Sequence, residues 1–241
     1  MIDHVTIRVS DRTASERFYD TVLPPIGIEK AHSDEHYAEW GDLSIGVATV
    51  EKPVTRGLHI GLVSPSRELV DEFWRIGTEA GYRDDGAPGP RPQYSPDYYG
   101  AFLLDPDGNS IEAVQHEERR PGPIDHLWIR VADLEASQRF YETVAAQTGF
   151  VVLDSETEGR RTFVGDGGSF SLVSGNPTEH VHFAFAAEDN RTVDDFHRVA
   201  VEAGYRDNGA PGERAVYHPG YYGAFVLDPD GNNVEVVNHN R

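Results

Sequence analysis

The sequence contains no cysteine. That absence excludes disulfides, thiolate nucleophiles and Cys-based zinc sites together, and it leaves redox chemistry silent about the compartment. There is also no long hydrophobic run. Nothing approaches the ~20 consecutive apolar residues that a bilayer-spanning helix needs. Met1-Ile2-Asp3-His4 leads into a strand pattern without the basic and apolar regions of a signal peptide. No membrane partner is expected, and a cytoplasmic location is. Positive charge is scarce too: 21 Lys and Arg stand against 41 Asp and Glu, a formal net charge of −20 shared evenly by the two halves. Such a surface repels phosphate backbones and anionic headgroups, so no nucleic acid partner is expected and neutral or cationic small molecules are favoured.

What is present is enough to fold. Hydrophobic residues at 38% and aromatics at 10% lie in the globular range, and 241 residues suit two medium-sized domains better than one large core. An internal repeat supports that division. Asp3–Val22 (DHVTIRVSDRTASERFYDTV) matches Asp125–Val144 (DHLWIRVADLEASQRFYETV) at an offset of 122. The stretches from Ala80 and Tyr98 match those from Ala203 and Tyr221 at an offset of 123. A period this long marks a duplicated domain, not a solenoid. The copies meet in residues 117–123, which are charged and then Pro/Gly-rich, so the sequence predicts domains at 1–118 and 124–241.

Each copy reads as strand, helix, strands, twice over, which predicts an α+β fold of four βαβββ modules. His4–Val9 alternates polar and apolar residues, as a half-buried strand does. A helix is expected over Thr13–Leu23, capped by Ser10 or Asp11 and stopped by Pro24-Pro25. A second helix over Ser66–Ala80 carries Leu69, Phe73, Ile76 and Ala80 on one face and ends at Gly81. Asp105-Pro106-Asp107-Gly108-Asn109 has the residues of a tight turn between two strands, and its aspartates are turn-formers without calcium-loop spacing.

Period-2 geometry places His4 opposite Val5, Ile7 and Val9, His59 opposite Leu58, Ile60 and Leu62, and Glu112 opposite Ile111 and Ala113. The second copy repeats the set as His126, His182 and Glu235. Spacings of 55 and 53 residues become 56 and 53. Two imidazoles and a carboxylate form a ligand set for Fe(II), Mn(II), Ni(II) or Zn(II) with positions left open for substrate. The sequence leaves two groupings open: each site within one copy, or the first-strand His of one copy with the His and Glu of the other, as His4 with His182 and Glu235. Tyr99 and Tyr222 are candidate proton donors, and Arg8, Arg130 and His218 are candidate substrate contacts. His116 and His239, beyond the last strands, are expected at the surface.

These residues resemble a family. The strand-opening His4 and His126, the LHIGL and VHFAF strands holding His59 and His182, and the FLLDPDGNSIE and FVLDPDGNNVE endings are similar to the vicinal oxygen chelate superfamily. That superfamily includes glyoxalase I, bleomycin-resistance proteins and extradiol dioxygenases. The resemblance spans almost the whole chain. It implies tandem glyoxalase-like domains, each forming an open, U-shaped sheet around a divalent metal ion that binds neighbouring substrate oxygens. The Tyr that extradiol enzymes carry ten residues before the ligand Glu is Phe102 and Phe225 here, which disfavours ring cleavage. The fourth ligand usual in glyoxalase I has no carboxylate in its place, where Ser44, Gly46, Ser169 and Ser171 lie. The expectation is a metal-dependent enzyme for a small oxygenated substrate, monomeric or homodimeric, with lyase or isomerase chemistry favoured. An extradiol-type dioxygenase and a metal-free drug-binding protein are the alternatives.

Overall fold

The computed structural model describes residues 2–117, 121–153, 158–165 and 167–241. The expected domain end at Glu118, and residues 118–120 of the linker, lie outside the described residues. Four βαβββ modules follow one another along the chain. The first comprises β1 (Ile2–Val9), α1 (Arg12–Val22), β2 (Lys30–Ser33), β3 (Tyr37–Trp40) and β4 (Leu43–Val47). The second comprises β5 (His59–Val63), α2 (Arg67–Glu79), β6 (Arg83–Pro90), β7 (Tyr99–Leu104) and β8 (Ser110–Gln115). The third has β9 (Ile124–Val131), α3 (Leu134–Thr143), the short α4 (Ala145–Thr148), β10 (Val151–Leu153), β11 (Arg160–Gly165) and β12 (Gly168–Ser174). The fourth has β13 (His182–Ala186), α5 (Asn190–Glu202), β14 (Arg206–Glu213), β15 (Tyr222–Leu227) and β16 (Asn233–Asn238).

By packing, the chain divides into an amino-terminal unit, Thr6–Trp128, and a carboxy-terminal unit, Met1–Val5 with Ile129–Arg241. These packing units differ from the sequence repeat, because β1 and β9 each contribute residues to both. In the amino-terminal unit the strand order is β6-β7-β8-β5-β9, with β5 parallel to β8 and the other pairs antiparallel. In the carboxy-terminal unit it is β14-β15-β16-β13-β1, with β13 parallel to β16. Each unit also holds a short antiparallel meander, β2-β3-β4 or β10-β11-β12.

Helix starts follow local chemistry. Asp11, Ser66, Asp133 and Asp189 each accept a hydrogen bond from the backbone N–H three residues on, satisfying a donor that the helix itself cannot. Of the two caps expected for α1, Asp11 is the one used. Gly81 adopts φ 88°, the left-handed conformation that stops α2. The buried stripe of α2 is Val70, Phe73 and Gly77, not the expected row ending at Ala80, which is exposed. Gly77 turns the helix: Leu103 of β7 packs where its Cβ would be, so the helix sits on its glycine and rotates the predicted row toward the edge.

The DPDGN turn does more than reverse the chain. Asp105 accepts from the backbone N–H of Asp107 and Asn109 and from the Tyr19 hydroxyl. Asn109, fully buried, accepts from the Leu58 N–H at 3.1 Å and donates to the Thr55 carbonyl and to Asp105. The turn thereby fixes the start of β5 against β8, and Asp228, Asn232 and Val181 repeat most of this arrangement. Asn109→Ala leaves buried donors and acceptors unmatched and should cost about 3 kcal/mol of stability, measurable by urea denaturation. A loss below about 0.5 kcal/mol would contradict this role for the clamp.

Candidate metal centres

Strand register decides which side chains meet. In the amino-terminal unit Gly61 pairs across β5 with Glu112 of β8 and with His126 of β9, while Phe102 of β7 pairs with Glu112 from the other side. Glu112 and His126 therefore flank a position without a side chain, and His59, two residues earlier, shares its face. A Cβ on Gly61 would strike the His126 ring, and one on Gly100 would strike the Glu112 carboxylate. Both glycines exist to make room. In the carboxy-terminal unit His182 pairs with Asn233 and Ala184 with Glu235, and β1 brings His4 to the other edge of β13.

Of the two groupings left open by the sequence, the exchanged one forms in each case. His59, Glu112 and His126 make one cluster and His4, His182 and Glu235 the other, with candidate ligand atoms all within 4.8 Å of one another. His59 Nε2 lies 3.1 Å from both His126 Nε2 and Glu112 Oε2, and His126 Nε2 lies 3.3 Å from that same oxygen. In the second cluster His4 Nε2 and His182 Nε2 are 3.1 Å apart, and Glu235 Oε2 is 3.1 Å from His182 and 3.5 Å from His4.

A divalent ion fits this donor set. Two imidazole nitrogens and one carboxylate oxygen converge in each case, and two Nε2 atoms facing each other at 3.1 Å need either a shared proton or a cation between them. Glu235 Oε2 is buried and faces the His182 and His4 imidazoles at 3.1 and 3.5 Å without a well-aligned hydrogen bond. A buried anionic oxygen there needs a positive partner, which either a protonated imidazole or a bound cation supplies.

Around each triad, further residues orient its side chains. Tyr98 donates its hydroxyl proton to Glu112 Oε1 at 2.8 Å, and Tyr221 does the same to Glu235 Oε1 at 2.7 Å. Oε2 is thus the oxygen turned toward the imidazoles. His126 Nδ1–H donates to Asp125 and His4 Nδ1–H to Asp3, which presents Nε2 inward. His116 donates to Asp125 and His239 to Asp3, at 2.7 and 3.0 Å. Tyr98→Phe should lower divalent-metal affinity at its site about tenfold with little change in fold, as losing a supporting hydrogen bond behind a ligand typically does. Titration of the variant against a competing chelator checks this, and an unchanged dissociation constant would remove Tyr98 from the centre.

Burial and the close approach of opposite charges set the electrostatics. Burial works to raise the Glu112 and Glu235 carboxyls, but the adjacent imidazoles overcome it and hold both at about 2. Burial likewise works to lower His126 and His4, yet their carboxylate partners push both up to about 9. Tyr98 and Tyr221 are driven far above the ordinary phenol range by burial and by the adjacent glutamate charge, so they keep their protons.

Several expected site residues lie elsewhere. Tyr99 donates to Asp71 and Tyr222 to Asp194, so neither reaches its cluster as the expected proton donor. The reason is parity: positions 98, 100 and 102 share the Glu112 face of β7, and position 99 falls on the face toward α2. His218 bonds His239 and the Pro219 carbonyl rather than a ligand. Arg8, against Gly46, and Arg130, near Gly175, remain candidates for a substrate contact. His116 and His239, expected at the surface, instead stand behind the ligand-orienting aspartates. The sequence did carry that signal, as the duplicated Asp-His pairs at Asp3-His4 and Asp125-His126.

Four βαβββ modules, with a His, His, carboxylate cluster in each unit, define a glyoxalase-like fold. Residues 123–236 match the model of the Glyoxalase/Bleomycin resistance protein/Dioxygenase superfamily. That stretch is the second repeat, which thereby matches that superfamily, and the first repeat is its duplicate in sequence. Among solved structures, glyoxalase I from Zea mays is similar at 21% identity and a TM-score of 0.69, covering 99% of this chain and 92% of that one. A candidate dioxygenase from Bacillus subtilis matches at 14% identity and a TM-score of 0.68, covering 100% and 85%. At these identities the likeness speaks for the fold. Curated protein sequences give no significant match.

Proposed function

We propose that this chain is a divalent-metal-dependent enzyme acting on a small oxygenated molecule, with lyase or isomerase chemistry favoured over dioxygen chemistry. The observation that carries the reading is the convergence, twice, of two Nε2 atoms and one carboxylate oxygen within 4.8 Å. Bound there, a metal ion would act as a Lewis acid toward substrate oxygens. The chain's own residues hold and aim it: His59, His126 and Glu112 in one centre, His4, His182 and Glu235 in the other. Tyr98 and Tyr221 keep each carboxylate turned, and Asp125 and Asp3 fix which imidazole nitrogen faces inward. Phe102 and Phe225, where an extradiol enzyme carries tyrosine, favour lyase or isomerase chemistry. Arg8 and Arg130 are proposed contacts for an anionic group of the substrate.

The setting is proposed to be the cytoplasm. Among the described residues no helix is long and apolar enough to cross a membrane. Metal analysis of protein purified without added metal, followed by titration with Mn, Fe, Ni and Zn, tests the reading. Up to two ions per chain should bind, and failure of all four metals to bind would end it. The net charge of −20 favours one rival, a metal-free binder of cationic drugs. Under that rival His59→Ala and His182→Ala would leave ligand binding intact.

A further inference from the structure

The two triads look alike, but what stands behind them differs, and the difference is paired. His59 Nδ1–H donates to Ser110 Oγ at 3.0 Å, and the Ser110 hydroxyl donates in turn to Asp85 Oδ2 at 2.7 Å. A carboxylate therefore terminates the relay. At the equivalent places of the second repeat, 123 residues on, Ser110 is replaced by Asn233 and Asp85 by Asn208. Asn233 Nδ2 lies 2.6 Å from His182 Nδ1, and Asn233 Oδ1 accepts from Asn208 Nδ2 at 2.9 Å. In that arrangement the amide donates to Nδ1, which leaves the His182 proton on Nε2, the nitrogen facing Glu235. For His182 to bind a cation through Nε2, both amides must turn over so that an oxygen accepts the Nδ1 proton. His59 needs no such change, and the negative end of its relay makes Nε2 the stronger donor.

Enclosure differs in the same direction. The side chains of His59 and His126 are 9% and 7% exposed, against 18% and 24% for His182 and His4. Trp128 stands over the first pair, 5.1 Å from the His59 ring, and is itself braced by Tyr94. The first repeat has Thr6 where the second has Trp128, and Tyr217, the counterpart of Tyr94, is 62% exposed. Gly61, which admits the His126 ring, is replaced by Ala184 at the equivalent place of the second repeat.

We propose that the centres divide labour. His59, Glu112 and His126 form a closed centre that retains its ion tightly. His4, His182 and Glu235 form an open centre that binds its ion more weakly and presents it to solvent and substrate. This inference rests on the metal reading above, and the Asp85–Ser110 and Asn208–Asn233 pairs set the difference.

The test isolates each centre in the full chain, with Glu235→Gln leaving the closed one and Glu112→Gln the open one, and titrates Mn2+ against a competing chelator. The closed centre should bind at least tenfold more tightly, within the 10–100-fold range that residues behind ligands control. Mn2+ in the open centre should show the larger water-proton relaxation enhancement. Asp85→Asn with Ser110→Asn should then weaken the closed centre about tenfold, and Asn208→Asp with Asn233→Ser should tighten the open one. Each substituted residue already occupies the equivalent place in the other repeat, and thermal denaturation checks that the variants fold. Equal affinities in the two centres, or exchanges without effect, overturn the division of labour and leave the metal reading standing. A parent chain that binds no ion overturns both.

Discussion

Glu235→Gln should lose at least a hundredfold in affinity for a divalent ion at His4 and His182, and Glu112→Gln should do the same at His59 and His126. Removing a group behind a ligand typically costs tenfold to hundredfold in affinity, and removing the ligand's own charge costs more. Glutamine keeps the shape of the side chain, and Tyr221 can still donate to its oxygen. What disappears is the anionic Oε2 of a side chain only 1% exposed, which lies 3.1 Å from His182 Nε2. Without it two imidazoles alone face the ion, and the buried charge that balances a cation is gone. Isothermal titration of each variant with Mn2+, Ni2+ and Zn2+ measures the loss. Retained affinity in both variants would mean that the carboxylates are not ligands.

The fold was legible because each module states its own plan. Apolar alternation at Val5, Ile7 and Val9 and at Leu58, Ile60 and Leu62 marks strands that are in fact buried on that face. The capping residues and Gly81 mark helix ends, and DPDGN marks the turn. Which side chains share the clustered face was legible through the same alternation, since it depends only on parity along a strand. Two things were not. The pairing of His4 with His182 and Glu235 depends on which strand β1 lies beside, a tertiary choice that a local pattern does not encode. The role of Tyr98 and Tyr221 depends on register between β7 and β8, where an error of one residue selects Tyr99 and turns the hydroxyl to the opposite face. Counting back by twos from Phe102, the partner of Glu112, reaches Tyr98 and would have found it.

Metal uptake should release protons, and apparent affinity should therefore rise with pH. In the metal-free chain His4 and His126 sit at about 9, above the ordinary 6.5, because burial is outweighed by their aspartate and glutamate partners. At pH 7 both imidazoles are protonated, and an ion can bind Nε2 only after displacing that proton. About one proton should leave per ion, giving close to a tenfold gain in affinity per pH unit between 7 and 8. Stability of the metal-free chain follows from the same groups. A raised histidine contributes stability that is full below 6.5 and lost as pH rises through about 9. A lowered glutamate contributes stability that is present above 4.5 and lost as pH falls through about 2. The metal-free clusters are therefore most stabilising between 4.5 and 6.5, and the rise in Tm on adding metal should grow from pH 6.5 to 9. Calorimetric titration in two buffers of different ionisation enthalpy counts the protons. Affinity that is flat or falling from pH 7 to 8 would mean that the histidines are not the groups an ion displaces.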